Sequence, residues 1–205
     1  MPTVIIFAAG DPLPPSVADD LPGADLVIAA DAGHDLAVML GQRVDVIVGD
    51  LDSVDESTLP DDLIIERHPV DKDASDLELA LVRASDADPS RIVVVGGGGG
   101  RLDHELAVAA LICSPRWEAE IDWISGRGRS HVVRAMTRRL HGDVGATLSL
   151  LAMGGPADGV TTRGLRWNLD EGVLEPGSTL GLSNILESPV PEIRVASGTV
   201  LCVFG

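Results

Sequence analysis

The sequence predicts an α/β protein: an N-terminal α/β domain on a parallel sheet, followed by a small C-terminal all-β sandwich. Three observations predict it. Short continuous apolar runs alternate with helical patterns up to residue 126. Beyond the Ser125-Gly126-Arg127-Gly128 stretch only short β-like runs remain, separated by Gly, Pro, Asn and Asp. Charge also divides the chain. Residues 1–110 hold 22 of the 32 acids and 6 of the 15 bases, and the rest is close to balanced. The boundary is placed so that residues 1–126 form one domain and 127–205 the other.

The first domain's runs are Val4–Ala8, Leu26–Ala30, Val44–Val48, Leu63–Ile65, Arg91–Val95 and Ile121–Ile124. Uninterrupted apolar runs of this length suit strands covered on both faces. Helical patterns at Asp35–Leu40, Ala74–Ala84 and Asp103–Ile112 lie between them, and strands alternating with helices imply a parallel sheet. Ser75 with Glu78 reads as a capping box, as does Ser53 with Glu56. In the second domain the strand candidates are His131–Arg134, Thr147–Leu151, Val160–Thr162, Thr179–Leu182, Glu192–Ala196 and Thr199–Phe204.

Bulk properties exclude several classes. The chain has 205 residues, 45% of them apolar, and no run long enough for a membrane span. A net charge of −17 argues against nucleic-acid binding, which requires a basic face. The N-terminal Met1-Pro2-Thr3-Val4 reads as the approach to a first strand rather than a secretory signal. Cys113 and Cys202 lie in apolar surroundings and read as buried free thiols, which places the protein in the cytoplasm.

The chemistry-bearing residues cluster. Asp31 follows the second strand, Gly49-Asp50-Leu51-Asp52 the third, and Gly96–Gly100 the fifth. Ligands of open α/β sheets bind beyond the carboxyl ends of the strands, so these motifs converge on one edge. Asp50 and Asp52, two apart, can converge on one Mg²⁺, which takes one or two carboxylates and completes its shell with water and phosphate. They can equally belong to a capping turn. Asp73 and Asp76 open a helix, where acids offset the helix dipole; the alternative is that Asp76 adds a carboxylate to the metal and Lys72, the only lysine, contacts phosphate. The glycine run is neither a Walker loop nor a Rossmann fingerprint. Its length favours backbone N–H groups presented to an anion at a helix start, with Arg101 as a phosphate contact. His104 is a candidate base or nucleotide contact. The other histidines lack metal-ligand spacing, which excludes a zinc site. Trp167, in Gly164-Leu165-Arg166-Trp167-Asn168-Leu169, is core or a stacking platform for a cationic ligand, and the residues alone favour core. Together the motifs indicate metal-dependent chemistry on a nucleotide, ATP first.

Taken in order, Asp31-Ala32-Gly33, Gly49-Asp50-Leu51-Asp52-Ser53, Lys72-Asp73-Ala74-Ser75-Asp76, Gly99-Gly100-Arg101-Leu102-Asp103-His104, Gly164–Leu169 and Ser183-Asn184 resemble the thiamine pyrophosphokinase (thiamin diphosphokinase) family. The resemblance covers nearly the whole chain. It implies an N-terminal α/β domain binding ATP and Mg²⁺, a C-terminal β-sandwich that helps bind thiamine, and a homodimer. Carried over by position, Asp50, Asp52 and Asp76 bind metal. Lys72 and Asp73 lie beside the phosphates. Asp31, Gly99, Arg101, Asp103 and His104 hold the nucleotide, and Trp167, Ser183 and Asn184 contact thiamine. The chain departs from the family pattern at Ala32, Asp35, Ser75, Glu105 and Ile185, and the last two bear on substrate. The implied reaction transfers pyrophosphoryl from ATP to the thiamine hydroxyl, releasing AMP. A diphosphokinase of another hydroxymethyl heterocycle, such as 6-hydroxymethylpterin, and a non-catalytic nucleotide- or thiamine-binding regulator are the alternatives.

Overall fold

The computed structural model describes residues 2–52, 54, 57 and 59–205. The chain divides into two compact units. The first comprises residues 1–108 and 119–127, and the second comprises 109–118 and 128–205.

The first unit carries β1 (Thr3–Ala8), β2 (Leu26–Ala30), β3 (Val46–Gly49), β4 (Ile64–Arg67), β5 (Arg91–Gly96) and β6 (Glu120–Ser125). They run in the order β6-β5-β1-β2-β3-β4. Every pairing among them is parallel. The apolar runs dictate this: Val4, Ile5, Ile6 and Phe7 of β1 and Val94 and Val95 of β5 are fully buried. β1 lies between β2 and β5, so the strand order reverses there, and the crevice beyond the carboxyl ends of β1 and β5 is where such sheets receive ligands. Two expected strands shift toward their carboxyl ends. The run at Val44–Val48 becomes Val46–Gly49, because the Asp45 carboxylate accepts from Val27 N–H at 2.9 Å and anchors the approach to β3. The run at Leu63–Ile65 becomes Ile64–Arg67.

Helix α1 spans Gly33–Met39, α2 Asp76–Ser85 and α3 Leu102–Ile112. Helix α2 buries Leu77, Ala80, Leu81 and Ala84, the i, i+3, i+4, i+7 stripe of a helix against a sheet. Its N-cap is Ser75, whose Oγ accepts from Glu78 N–H at 3.2 Å, as the sequence motif predicts. The second capping box, Ser53 with Glu56, lies outside the described residues. Helix α3 leaves Leu102 and Leu106 exposed, although its sequence is largely apolar.

The second unit holds two antiparallel sheets. One has the order β12 (Asn184–Ile185), β9 (Thr147–Ala152), β14 (Thr199–Phe204), β7 (Gly128–Arg134). The other has the order β11 (Gly172–Leu174), β10 (Ala157–Arg163), β13 (Glu192–Arg194), β8 (Thr137–Arg139). Residues of both sheets, including Leu148, Leu150 and Val200 of the first and Val160, Leu174 and Ile193 of the second, share one core, the expected sandwich. The strand expected at Thr179–Leu182 is instead a turn. Leu182 N–H bonds to Thr179 C=O at 3.0 Å, and Ser178 Oγ accepts from Leu180 N–H at 3.2 Å. Local serine chemistry outcompetes the ladder there. Both cysteines are free and buried, as expected.

Candidate active site

Strands β2 and β3 pair in parallel with Ala30 opposite Val48, so the residues that follow them emerge side by side. Asp31 follows β2 directly. Its backbone is left-handed at φ 45°, its N–H donates to Val48 C=O at 2.9 Å, and its C=O accepts from His34 N–H at the start of α1. Position 49 leaves little room for a side chain. A Cβ there would stand 3.0 Å from Asp31 Cβ and 3.2 Å from Asp76 Oδ1. Leu51 is also left-handed, at φ 61°, with its side chain buried in the first unit's core. An unusual backbone pinned by a buried side chain thus fixes Asp50 and Asp52 on either side of it. Carboxylate oxygens of Asp31, Asp50 and Asp52 lie within 4.8 Å of one another.

This donor set fits a hard divalent cation, which takes carboxylate oxygens. Among the described residues, Asp31 Oδ1 is buried without a hydrogen-bond partner, an acceptor that a cation would satisfy. Burial, followed by the charges of Asp76, Asp50 and Asp52, pushes the Asp31 carboxyl above its ordinary range, against the opposing Ala32 N–H. The resemblance assigns Asp31 to the nucleotide; the geometry groups it with Asp50 and Asp52.

Lys72 joins the cluster to helix α2. Its ammonium lies 3.1 Å from Asp50 Oδ2 and 3.0 Å from Asp76 Oδ1. The first is a hydrogen bond and holds the Asp50 carboxyl below its usual range. The second is a charge contact without hydrogen-bond alignment. The other oxygen of Asp50 accepts from Asp52 N–H at 3.2 Å. Asp76 is the first residue of α2, so its carboxylate also faces that helix's positive end. Asp73 is exposed.

The glycine run occupies the strand-order reversal. Gly97 N–H donates to Ala8 C=O and Ala9 C=O, and Asp11 N–H to Gly98 C=O at 2.9 Å, so the loops after β1 and β5 meet. Gly99 has φ 85°, and a Cβ on it would fall 2.0 Å from Asp11 Cγ. The Asp11 side chain therefore fills the space that any other residue at 99 would need. Trp123 Nε1 donates to Gly96 C=O at 2.7 Å, fixing the loop's first residue. Arg101 is exposed and paired with Asp103, its Nε lying 3.1 Å from Oδ1. His104 is exposed. Glu105 pairs with Arg127, Nε to Oε1 at 3.0 Å. Asp11 and the Glu105–Arg127 pair carry no local signal in the sequence; only the meeting of loops reveals them.

In the second unit, Trp167 is 59% exposed, which corrects its reading as core. A rigid loop presents it. Thr162 Oγ1 accepts from Leu169 N–H at 2.8 Å, and Asn168 Oδ1 accepts from Leu165 N–H at 3.2 Å. Asn184 is buried and brackets Trp167. Its Oδ1 accepts from Trp167 N–H at 3.1 Å, and its Nδ2 donates to Trp167 C=O at 2.7 Å. Ser183 is left-handed at φ 54°, and its N–H donates to Ser149 Oγ. An exposed indole on a hydrogen-bonded mount has a face free for stacking or cation–π contact. Arg166 already lies 5.7 Å from the ring centroid.

Comparisons with known proteins cover both units. A family model described as "Thiamin pyrophosphokinase, catalytic domain" matches residues 19–122, and one described as "Thiamin pyrophosphokinase, vitamin B1 binding domain" matches residues 134–200. Two rice (Oryza sativa subsp. japonica) proteins, thiamine pyrophosphokinases 1 and 3, are each 30% identical over 80% and 78% of this chain. The chain spans 66% and 64% of their lengths. Crystal structures of the thiamine pyrophosphokinases of Bacillus subtilis and Geobacillus thermodenitrificans superpose with TM-scores of 0.84 and 0.82. Their identities are 24% and 23%; the matches cover 98% and 99% of this chain and 97% of each of theirs. These structures share its fold.

Proposed function

The chain belongs to the thiamin pyrophosphokinase family, and we propose that it transfers the pyrophosphoryl group of ATP to the hydroxyl of thiamine, giving thiamine diphosphate and AMP. The observation that carries this reading is the Asp31–Asp50–Asp52 carboxylate group at the carboxyl edge of a parallel sheet, tied by Lys72 to the start of α2.

Asp50, Asp52 and Asp76, with Asp31 beside them, would hold Mg²⁺. A bound Mg²⁺ supplies charge neutralisation to phosphate oxygens that the carboxylates alone would repel. The glycine loop, through Gly99 and its neighbours, would offer N–H groups to the nucleotide phosphates, with Arg101, Asp103 and His104 completing the nucleotide site. Lys72 and Asp73 would lie beside the transferred group. The thiamine hydroxyl oxygen attacks the β-phosphorus, and the bond from that phosphorus to the α,β-bridging oxygen breaks. AMP leaves with the bridging oxygen, and the hydroxyl proton passes to a carboxylate, Asp73 or Asp52. Trp167 would stack on thiamine, with Ser183 and Asn184 beside it, and the indole face suits the thiazolium cation. Residues 1–126 would form the catalytic domain and residues 127–205 the thiamine-binding domain. The exposed Leu102 and Leu106 of α3 suit a subunit contact in a homodimer. Two buried free thiols suit the cytoplasm.

Incubation with ATP, Mg²⁺ and thiamine, followed by phosphorus NMR, tests the reaction. AMP with thiamine diphosphate is expected. ADP with a monophosphate would refute pyrophosphoryl transfer. Intact ATP with thiamine, but turnover with 6-hydroxymethylpterin, would reassign the substrate.

A further inference from the structure

One side chain of the acidic cluster does the opposite of what a metal site calls for: it is a cation. Lys72 Nζ sits 3.1 Å from Asp50 Oδ2, and Asp50 is also a member of the carboxylate group formed with Asp31 and Asp52. Lys72 and Asp50 side chains are each only 14% exposed, so water screens the contact poorly. Each oxygen of Asp50 already has a partner, Oδ1 the Asp52 N–H and Oδ2 the ammonium. A divalent cation drawing on Asp50 therefore competes with Lys72 for the same carboxylate and brings two positive centres side by side.

The residue type fits such a role. Fourteen of the 15 basic residues are arginine, and Lys72 is the one exception. An ammonium is a compact point charge on a flexible stem, able to stand where a metal ion would and to swing away; a guanidinium is a broad, directional fork. The tie to Asp76, at 3.0 Å, is a charge contact without hydrogen-bond alignment, so the ammonium stands between two carboxylates and is hydrogen-bonded to Asp50.

We propose that Lys72 is a built-in counter-ion for the acidic cluster, whose ammonium must leave Asp50 before a divalent cation can bind, so that metal binds weakly until nucleotide phosphates offer the ammonium another partner. The inference rests on the cluster's being the metal site of the proposed reaction. Phosphate oxygens are strong acceptors for an ammonium, and moving Lys72 to them frees Asp50. Metal and nucleotide then each raise the other's affinity by the same factor, as linkage requires.

The test is titration of the full chain with Mn²⁺, without nucleotide or thiamine, with the free ion followed by electron paramagnetic resonance. Lys72→Met is expected to bind Mn²⁺ roughly tenfold or more tightly than the unaltered chain, within the usual range of such couplings. Its metal-free form should melt at lower temperature, because the carboxylates have lost their neutralising charge, and Mn²⁺ should restore the loss. Lys72→Arg, which keeps the charge, should not gain affinity. Lys72→Gln reads the same quantity if the methionine variant does not fold. Equal or weaker Mn²⁺ binding by the neutral variants would overturn the counter-ion role while leaving the metal site intact. No Mn²⁺ binding by any of the chains would overturn the metal site, and this inference with it.

Discussion

The two units hold their polar groups at strand ends by opposite means. In the first, carboxylates crowd one another on strained backbone: Asp31 at φ 45°, Leu51 at φ 61°, and a single ammonium among the acids. In the second, Trp167 and Asn184 are joined by neutral amide hydrogen bonds. Crowded charge is unfavourable alone and is relieved by a cation, so the first arrangement responds to ions and protonation. The neutral network is satisfied as it stands and responds to neither. A dense parallel core, with β1 and β5 almost wholly buried, makes the strain at the first site tolerable.

The largest effect that can break this comparison is at Asp50. Asp50→Asn should lower turnover by on the order of 10²–10³ and abolish the tight metal binding expected with nucleotide present. The far-UV circular dichroism should not change, because the apolar runs that form the sheet are untouched. Turnover within a factor of two of the unaltered chain would remove the carboxylate cluster from the reaction.

Asn184→Ala should act through packing instead. It leaves the Trp167 N–H and C=O and the Ile185 N–H without their partner, an effect of about 1–3 kcal/mol on stability. It should raise KM for thiamine with little change in kcat and none in metal affinity, measured by steady-state kinetics and metal titration. A shift in metal affinity would join the two polar systems that the comparison separates.

The smallest effect concerns the thiols. Burial pushes Cys113 and Cys202 up to about 12, so roughly one in 10⁴ of either is thiolate at pH 8. Neither should react with a disulfide reagent at that pH until the chain unfolds, when both should. Their folded pKa lies above the unfolded one. The unfolded chain therefore releases these protons first as pH rises, and the two thiols cost the fold stability from about pH 9 toward 12 while contributing no change below. Rapid labelling of the native protein at pH 8 would show that one of them is accessible.

Much of the first unit is legible because burial on both faces leaves uninterrupted apolar runs: Leu26–Ala30 is both run and strand, and β1 begins one residue before its run. β8, Thr137–Arg139, has no such run, and its polar residues give no strand signal. The Thr179–Leu182 segment carries a strand-like pattern yet forms a turn, because Ser178 satisfies the backbone locally. At the site, the Asp50–Asp52 spacing was visible at once. That Asp31 would join the pair depended on β2 and β3 being neighbours, a fact of sheet order rather than of local sequence. Lys72 announced itself only as an oddity of composition, and its position between Asp50 and Asp76 is three-dimensional. For Trp167 the residues alone favour core and the resemblance favours a thiamine contact; it is exposed, on a loop held by Asn184 and Thr162.

The carboxylate of Asp11 stands in the space that a side chain at position 99 would claim. Positions 11 and 99, far apart in the chain, are therefore sterically coupled. Glycine at 99 permits a full-sized residue at 11. A relative that carries a side chain at 99 has to give up bulk at 11 and rebuild a left-handed turn as well. In a sequence comparison the two columns should drift together, which gives the glycine loop a recognisable mark outside its own run of glycines.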